Sequence, residues 1–425
     1  MIGIGIIGLG TVGTGTYRIL TEHAGLIRKR TGLDIGVVRV AEVDPRKIKG
    51  KGVDRAIVTS DAMELIRDDR VNIVVELIGG THPAADFISA ALNLKKQVVT
   101  ANKALLAQQG DDLFRLAAKN GCEIGFEASV CGGIPVIRAI RDGLVGNDLT
   151  YILGILNGTS NYILSRMTEE GMSFPAALKE AQRKGYAEKD PTFDIEGIDA
   201  AHKLALLVRL AFASPITMDR ITTRGIAKID PVDIGFARDF GYKIKLLAIA
   251  RKMGTGVEAR VEPAMLPVNH PMSSVNGVYN AVYIVGDMVG PNLFYGKGAG
   301  SEATGSAVVS DIVDMAKRIT SGGLTGARGL TATGRYKQGK GSPVPYYLRV
   351  MAQDRPGVLS KISGILSEFG ISISAVTQQG RKLGGYVPVV MVTHDASEEG
   401  LRKAKEEIDR ISFTQGESVH IRIEE

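Results

Sequence analysis

Cysteine is almost missing: Cys122 and Cys131 are the only two in 425 residues. Two thiols build no disulfide framework, and no metal-ligand spacing accompanies them. Tryptophan is absent, which carries no functional message. No apolar stretch reaches the roughly 20 residues that a spanning helix needs. Met1-Ile2-Gly3-Ile4 opens without the basic region, long apolar region or cleavage site of a secretory leader. These absences give the expectation of a reducing cytoplasm and no membrane partner. A concentrated charge of one sign is also lacking. The net charge of +6 is spread along the chain, with no basic run and no interleaved aromatics. Nucleic acid is therefore not an expected partner, because phosphate binding needs a gathered basic footprint. An anionic cofactor accounts for the bias equally well.

Glycine, by contrast, is abundant at 52 residues, and much of it punctuates apolar runs. The chain is too long for one compact core. Residues 2–7 read as a buried strand, followed by glycines and a helical spacing through residue 30. Further strands are expected at 35–43, 71–78 and 97–100, with helices at 61–68, 83–94 and 104–119. Such alternation predicts an α/β fold, a Rossmann-type doubly wound parallel sheet, over residues 1–135. From 136 to 299 the texture changes to longer strands, such as 149–156 and 257–266, interrupted by helices at 173–184 and 197–213. An α+β domain with a more open sheet is expected there. Residues 300–320 return to helical periodicity and are expected to pack back on the first domain. A Gly-rich linker is expected over 321–345. The order strand, helix, strand, strand, helix, strand over 346–425 is the βαββαβ, ferredoxin-like sandwich.

Gly8-Leu-Gly10-Thr11-Val12-Gly13 falls between the first strand and the first helix. Gly8 suits a tight turn, Gly10 a close approach of pyrophosphate, and Gly13 close packing of helix on strand. The amides opening the helix then face the phosphates. Asp44, closing the second strand, suits ribose hydroxyls and NAD, whereas Arg46 and Lys47 suit the 2′-phosphate of NADP. The residues leave that choice open.

The densest polar segment runs Gly185-Tyr-Ala-Glu188-Lys-Asp190-Pro-Thr-Phe-Asp194-Ile-Glu196-Gly-Ile-Asp199-Ala-Ala-His202-Lys203. Asp199 and Lys203 lie four apart on an expected helix and share a face. A solvated, salt-bridged helix start is the structural alternative. Clustered acids suit a substrate amino group, and a nearby lysine suits the proton of an alcohol or carbonyl. His202 points off that face and is expected to be structural.

Over most of residues 1–320 the sequence resembles the homoserine dehydrogenase family. Beyond the glycine motif and the acidic segment, the resemblance runs through Val74-Val-Glu76-Leu-Ile-Gly79-Gly80, Val98-Val-Thr-Ala-Asn102-Lys103 and Glu127-Ala-Ser-Val130-Cys-Gly132-Gly-Ile134-Pro135. It continues through Gly154-Ile-Leu-Asn157-Gly-Thr-Ser-Asn161 and Gly296-Lys-Gly298-Ala-Gly300-Ser-Glu-Ala-Thr304. It implies NAD- or NADP-dependent interconversion of homoserine and aspartate 4-semialdehyde. Lys203 then corresponds to the proton donor and Lys103 to a second lysine where nicotinamide meets substrate. Glu188 and Asp199 correspond to substrate-holding residues, with Asp194 in support. Gly185 and Gly300 correspond to backbone contacts on the cofactor. Glu127, Val130, Gly132 and Ile134 correspond to a structural site for Na+ or K+ in some members. Members preferring NADP often carry a basic residue where Val43 stands. Homodimers or homotetramers are expected.

Residues 345–425 resemble an ACT domain, on the loop Asp354-Arg355-Pro356-Gly357-Val358-Leu359. Pro356 and Gly357 make the turn into a helix and leave amides for an amino-acid carboxylate. The resemblance implies an amino-acid effector, with threonine the candidate; a purely structural pairing domain is the alternative. Two other functions compete: a semialdehyde dehydrogenase using Cys131 as nucleophile through a thioester, and a non-enzymatic amino-acid sensor.

Overall fold

The computed structural model describes residues 1–322, 341–378 and 385–425. Most of the linker expected at 321–345 lies outside the described residues; Ser321 closes a helix and Gly322 caps it. The N-terminal part runs β1 (Ile2–Ile7), α1 (Thr11–Glu22), α2 (Ala24–Thr31), β2 (Ile35–Ala41), β3 (Val58–Thr59), α3 (Ala62–Arg67), β4 (Ile73–Glu76), α4 (Ala84–Asn93), β5 (Gln97–Thr100), α5 (Lys103–Lys119) and β6 (Ile124–Gly125). Their sheet is parallel, in the order β3-β2-β1-β4-β5-β6, the doubly wound order expected from the sequence. Helices cover both faces, so Ile4, Ile6, Val74 and Val98 are fully buried, each contributing roughly 1.5–3 kcal/mol. The helix read through residue 30 is two helices, α1 and α2, divided at His23. The strand expected at 71–78 stops at Glu76, whose carboxylate accepts from the amides of Ile78 and Gly79 and holds a turn.

The chain continues through α6 (Val136–Arg138), β7 (Leu149–Ile155), α7 (Gly158–Glu170), α8 (Phe174–Arg183), α9 (Thr192–Ile195), α10 (Ile198–Phe212), β8 (Thr222–Thr223), α11 (Pro231–Asp239), β9 (Tyr242–Met253), β10 (Gly256–Pro267), β11 (Tyr279–Gly286), β12 (Gly290–Lys297) and α12 (Ser301–Ser321). Helix α12 returns to the first sheet, where Val308, Ile312 and Met315 join Ile4, Ile6 and Tyr17 in one apolar cluster. The C-terminal residues form β13 (Tyr346–Gln353), α13 (Val358–Glu368), β14 (Ile373–Gln378), β15 (Tyr386–Thr393), α14 (Glu398–Asp409) and β16 (Val419–Ile423).

Strand β16 pairs parallel with β10, Ala264 opposite Arg422 and Met265 opposite Ile423. One ten-stranded mixed sheet therefore runs from the middle of the chain into its last strand. Side chains reinforce the join. Asp233 of α11 accepts from the Tyr347 hydroxyl at 2.7 Å and from Arg349 at 2.6 and 2.9 Å.

Candidate active site

The C-terminal edge of the first sheet carries the glycine turn. Gly8 has φ of +97°, a conformation that favours glycine. A Cβ on Gly13 would stand 2.0 Å from the Gly8 carbonyl oxygen, whereas one on Gly10 would meet nothing within 4 Å. The space over Gly10 is thus open while Gly13 is packed shut. Helix α1 begins at Thr11 and Val12 with no side-chain cap and no acid in its first turn. Its free amides and positive end suit a pyrophosphate. Ser301 donates to the Thr11 carbonyl at 2.9 Å, which sets Gly300, the residue before α12, beside this turn.

Asp44 stands past the end of β2 and is gripped by the guanidinium of Arg46 through two bonds of 2.9 Å. Hydrogen bonds from Arg46 hold the Asp44 carboxyl down to about 2. Two neighbours escaped the sequence reading. The buried Glu42 accepts from Leu9 N at 2.8 Å and Asp44 N at 3.0 Å, tying the glycine turn to the ribose end. Lys51 donates to the Leu9 carbonyl at 2.8 Å and the Thr14 hydroxyl at 2.7 Å, setting an ammonium at the glycine turn. Neither stands at a motif spacing, so the sequence offered no signal beyond charge.

Two helix starts build the reacting end. Asn102 caps α5 by accepting from Leu105 N, which makes Lys103 the first helical residue. Gly197, at φ +79°, turns the chain into α10, with Asp199 and Lys203 one turn apart on a buried face. Lys203 Nζ donates to Asp199 Oδ2 at 2.7 Å and to the Leu156 carbonyl at 2.6 Å. Lys103 Nζ lies 3.2 Å from the other oxygen, Asp199 Oδ1. Asn157, which the sequence supplied only within a motif, donates to Asp194 at 2.7 Å and Asp199 at 2.9 Å.

One buried carboxylate thus bridges two lysines. Burial alone would push the Asp199 carboxyl up, but the charges of Lys203 and Lys103 outweigh it and hold it low. Burial likewise opposes the Lys203 ammonium, yet Asp199 beside it raises its pKa above 10.5. Asp194 is raised, chiefly by burial. An ammonium has three donors; among the described residues Lys203 commits two, leaving one for a substrate oxygen.

Both ends stand along one edge of the first sheet, past β1 and past β5. Lys103 follows β5 at the same sheet edge as the glycine turn. Gly132 packs so closely on Gly298 that an added Cβ would stand 2.5 Å from its carbonyl oxygen, and Gly298 is three residues from Ser301. The other predicted positions differ. Gly185 and Glu188 lie exposed in the turn after α8, and the Glu188 carboxylate forms no ion pair among the described residues. That turn is fastened to α7 by Thr159, which donates to the Tyr186 carbonyl at 2.6 Å. His202 packs on Phe193, ring centroids 5.3 Å apart, and burial lowers its pKa. Burial pushes the Cys131 thiol up to about 11, which disfavours the thiolate that a thioester mechanism needs. Both oxygens of the buried Glu127 carboxylate accept backbone amides, from Ile137 and Arg138 at 2.8 Å, and the Ile134 carbonyl accepts from Val136 N at 2.8 Å.

Comparison with known proteins agrees with this geometry. Residues 8–127 match the homoserine dehydrogenase NAD binding domain, 135–313 the homoserine dehydrogenase family, and 346–413 the ACT domain. Homoserine dehydrogenase of Pseudomonas aeruginosa is 42% identical, covering 100% of this chain and 99% of that protein. The Bacillus subtilis protein of that name is 38% identical over 93% of this chain and 92% of its own. The crystal structure of a homoserine dehydrogenase from Thiobacillus denitrificans superposes with a TM-score of 0.93 at 42% identity, covering 100% of this chain and 98% of that one. A hyperthermophilic archaeal homoserine dehydrogenase in complex with NADPH superposes with a TM-score of 0.63 at 27% identity, over 74% of this chain and 97% of that one. The chain belongs to the homoserine dehydrogenase family, as an NAD(P)-dependent oxidoreductase with a C-terminal ACT domain.

Proposed function

We propose that this chain interconverts L-homoserine and L-aspartate 4-semialdehyde. The observation that carries the proposal is the bridge of Lys203 and Lys103 through the buried Asp199, with one Lys203 donor uncommitted. In the reductive direction that donor binds the aldehyde oxygen and polarises the carbonyl. Asp199 keeps the lysine protonated until negative charge develops on the oxygen, whereupon the proton passes from Nζ to it. Lys103 holds Asp199 from the other side and adds positive charge at the junction. Glu188 and Asp199 hold the substrate, with Asp194 a supporting carboxylate. When bound at Gly8–Gly13, Asp44, Gly185 and Gly300, the nicotinamide coenzyme supplies or takes the hydride at carbon 4. Exclusion of water by the buried face of α10 strengthens each of these interactions.

Either NAD or NADP suits the ribose end, because Asp44 is neutralised by Arg46 while Val43 is apolar. A structural Na+ or K+ is proposed at Glu127, Val130, Gly132 and Ile134; with the Glu127 carboxylate taken by amides, backbone carbonyls are its ligands. The reaction belongs to threonine and methionine biosynthesis, in the cytoplasm. No helix among the described residues is long and apolar enough to cross a membrane. A homodimer or homotetramer is supported by Leu293 and Tyr295, exposed on β12, and by β14, which pairs on one side only among the described residues. An effector such as threonine suits the turn before α13, where Gly357 at φ +86° leaves the helix without a side-chain cap. Mixing the purified protein with NADH or NADPH and aspartate 4-semialdehyde tests the reading. Coenzyme oxidation with homoserine as product supports it, and folded protein that oxidises neither coenzyme refutes it.

A further inference from the structure

Lys203 takes its direction from two acceptors, Asp199 and the Leu156 carbonyl. Asp199 is held in turn by Asn157 and Lys103. The Leu156 carbonyl is held by Asn280 of β11, which is 1% exposed and donates to it from Nδ2 at 2.9 Å. A carbonyl oxygen has two lone pairs, and the ammonium and the amide take one each. Asn280 stands in a slot of its own shape. Gly298, just past β12, comes so close that an added Cβ would stand 2.2 Å from Asn280 Cγ. The loop leading into β11 is pinned as well. Asn161 of α7 donates to the carbonyls of Val275, Gly277 and Tyr279 at 3.1, 3.0 and 3.2 Å. Lys245 donates to the same Val275 carbonyl at 2.6 Å. Helix α7 thus serves both partners of Lys203: Asp199 through its cap Asn157, and Leu156 through Asn161, this loop and Asn280.

Stability alone does not account for an amide at this place. The Leu156 carbonyl already has a donor in Lys203. The amide also hydrogen-bonds the Cys131 sulfur, a weak acceptor that burial keeps as the thiol. Asn280 Oδ1, meanwhile, is buried with no hydrogen-bond partner among the described residues. An unmatched buried acceptor is costly, whereas an apolar side chain of the same shape carries no such cost. The geometry points to Asn280 as a positioning residue: it fixes the plane of the Leu156 peptide and, through it, the direction of the one uncommitted N–H of Lys203. With that carbonyl free to rock, the ammonium follows it and the third N–H leaves the aldehyde oxygen. A displacement of about 1 Å at a reacting centre costs on the order of 100-fold in rate. This deepens the proposed function and rests on it, since proton donation by Lys203 is what the positioning serves.

The test measures reduction of aspartate 4-semialdehyde, coenzyme affinity and melting temperature for the full-length protein and two variants. Asn280→Leu keeps the shape while removing both the donor and the unmatched acceptor. It is expected to lower kcat about tenfold and to leave KM and coenzyme affinity within about twofold. Its melting temperature is expected to hold or rise. Asn280→Asp also keeps the shape, but donates to Leu156 only when its carboxyl is protonated. Its kcat relative to the native enzyme is therefore expected to recover as pH falls from about 9 to about 6, burial favouring the protonated form. Asn280→Leu is expected to show no such recovery. Native-like kcat in Asn280→Leu overturns the proposal. Should that variant be overpacked against Gly298 and fail to fold, Asn280→Asp decides alone: recovery at low pH supports the positioning, and a loss that does not change with pH overturns it. A native protein that reduces no aldehyde overturns the function and the positioning with it, whereas an active native enzyme with unaffected variants overturns the positioning alone.

Discussion

Asp199→Asn isolates what the bridging carboxylate does, because asparagine keeps the shape and removes the charge. In the native protein Lys203 is held above 10.5 by Asp199 against the pull of burial. An ion pair at about 4 Å in an effective dielectric of roughly 20 is worth about 4 kcal/mol. Losing it removes the interaction that holds the lysine up, so its pKa falls under the pull of burial. The variant ammonium therefore gives up its proton at lower pH than the native one, because burial acts on it without the opposing carboxylate. Since reduction needs that proton, the rate of NAD(P)H-dependent reduction should fall on the alkaline side at least ~1 pH unit earlier than in the native enzyme. The assay is kcat/KM for aspartate 4-semialdehyde against pH, from 6 to 10. Stability follows the same charges. The lowered Asp199 contributes above the unfolded carboxyl value of 3.8 and is lost as pH falls through its folded value. The raised Lys203 contributes below 10.5 and is lost as pH rises through its folded value. The native protein should therefore outlast the variant most clearly between those limits. Superimposable pH–rate profiles would refute the reasoning.

Lys203→Ala should lower kcat at least ~100-fold, the scale of a positioned proton donor, with coenzyme affinity kept as read by fluorescence titration; an unchanged kcat removes Lys203 from the chemistry. Gly10→Val should fold normally but lose NAD(P)H binding, since the side chain enters the open space over the glycine turn. Gly13→Ala, 2.0 Å from the Gly8 oxygen, should instead lower the melting temperature, and equal effects of the two variants would contradict the separate roles. Cys131→Ser should retain turnover within about threefold, the small change expected where no nucleophile is lost; abolished activity would revive the thioester reading.

The alternation of short apolar strands with amphipathic helices carried the first sheet into view, because strands buried on both faces must be apolar throughout. Its two outermost strands were not legible: β3 and β6 are two residues each, too short to show any period. Helix α7 hid for a different reason. Asn157-Gly158 reads as a turn, yet Asn157 accepts from Ser160 N and caps the helix, so turn chemistry and capping chemistry coincide. The C-terminal ββ pairing was legible, but its fusion to β10 rests on two residue pairs far apart in sequence. At the site, Asp199 and Lys203 were legible because helical spacing sets them on one face. Their link to Lys103 and Asn157 depends on how α5 and α7 pack on α10, which spacing does not encode. Glu42 and Lys51 were missed because their contacts run to the backbone of the glycine turn.

Hydride transfer itself is the most direct test. With coenzyme deuterated at nicotinamide carbon 4 and aspartate 4-semialdehyde, the full-length protein should yield homoserine carrying one deuterium at carbon 4, read by mass spectrometry. Folded protein that binds the coenzyme but returns the aldehyde unreduced, or homoserine whose new carbon-4 hydrogen comes from solvent and carries no deuterium, would contradict direct hydride transfer.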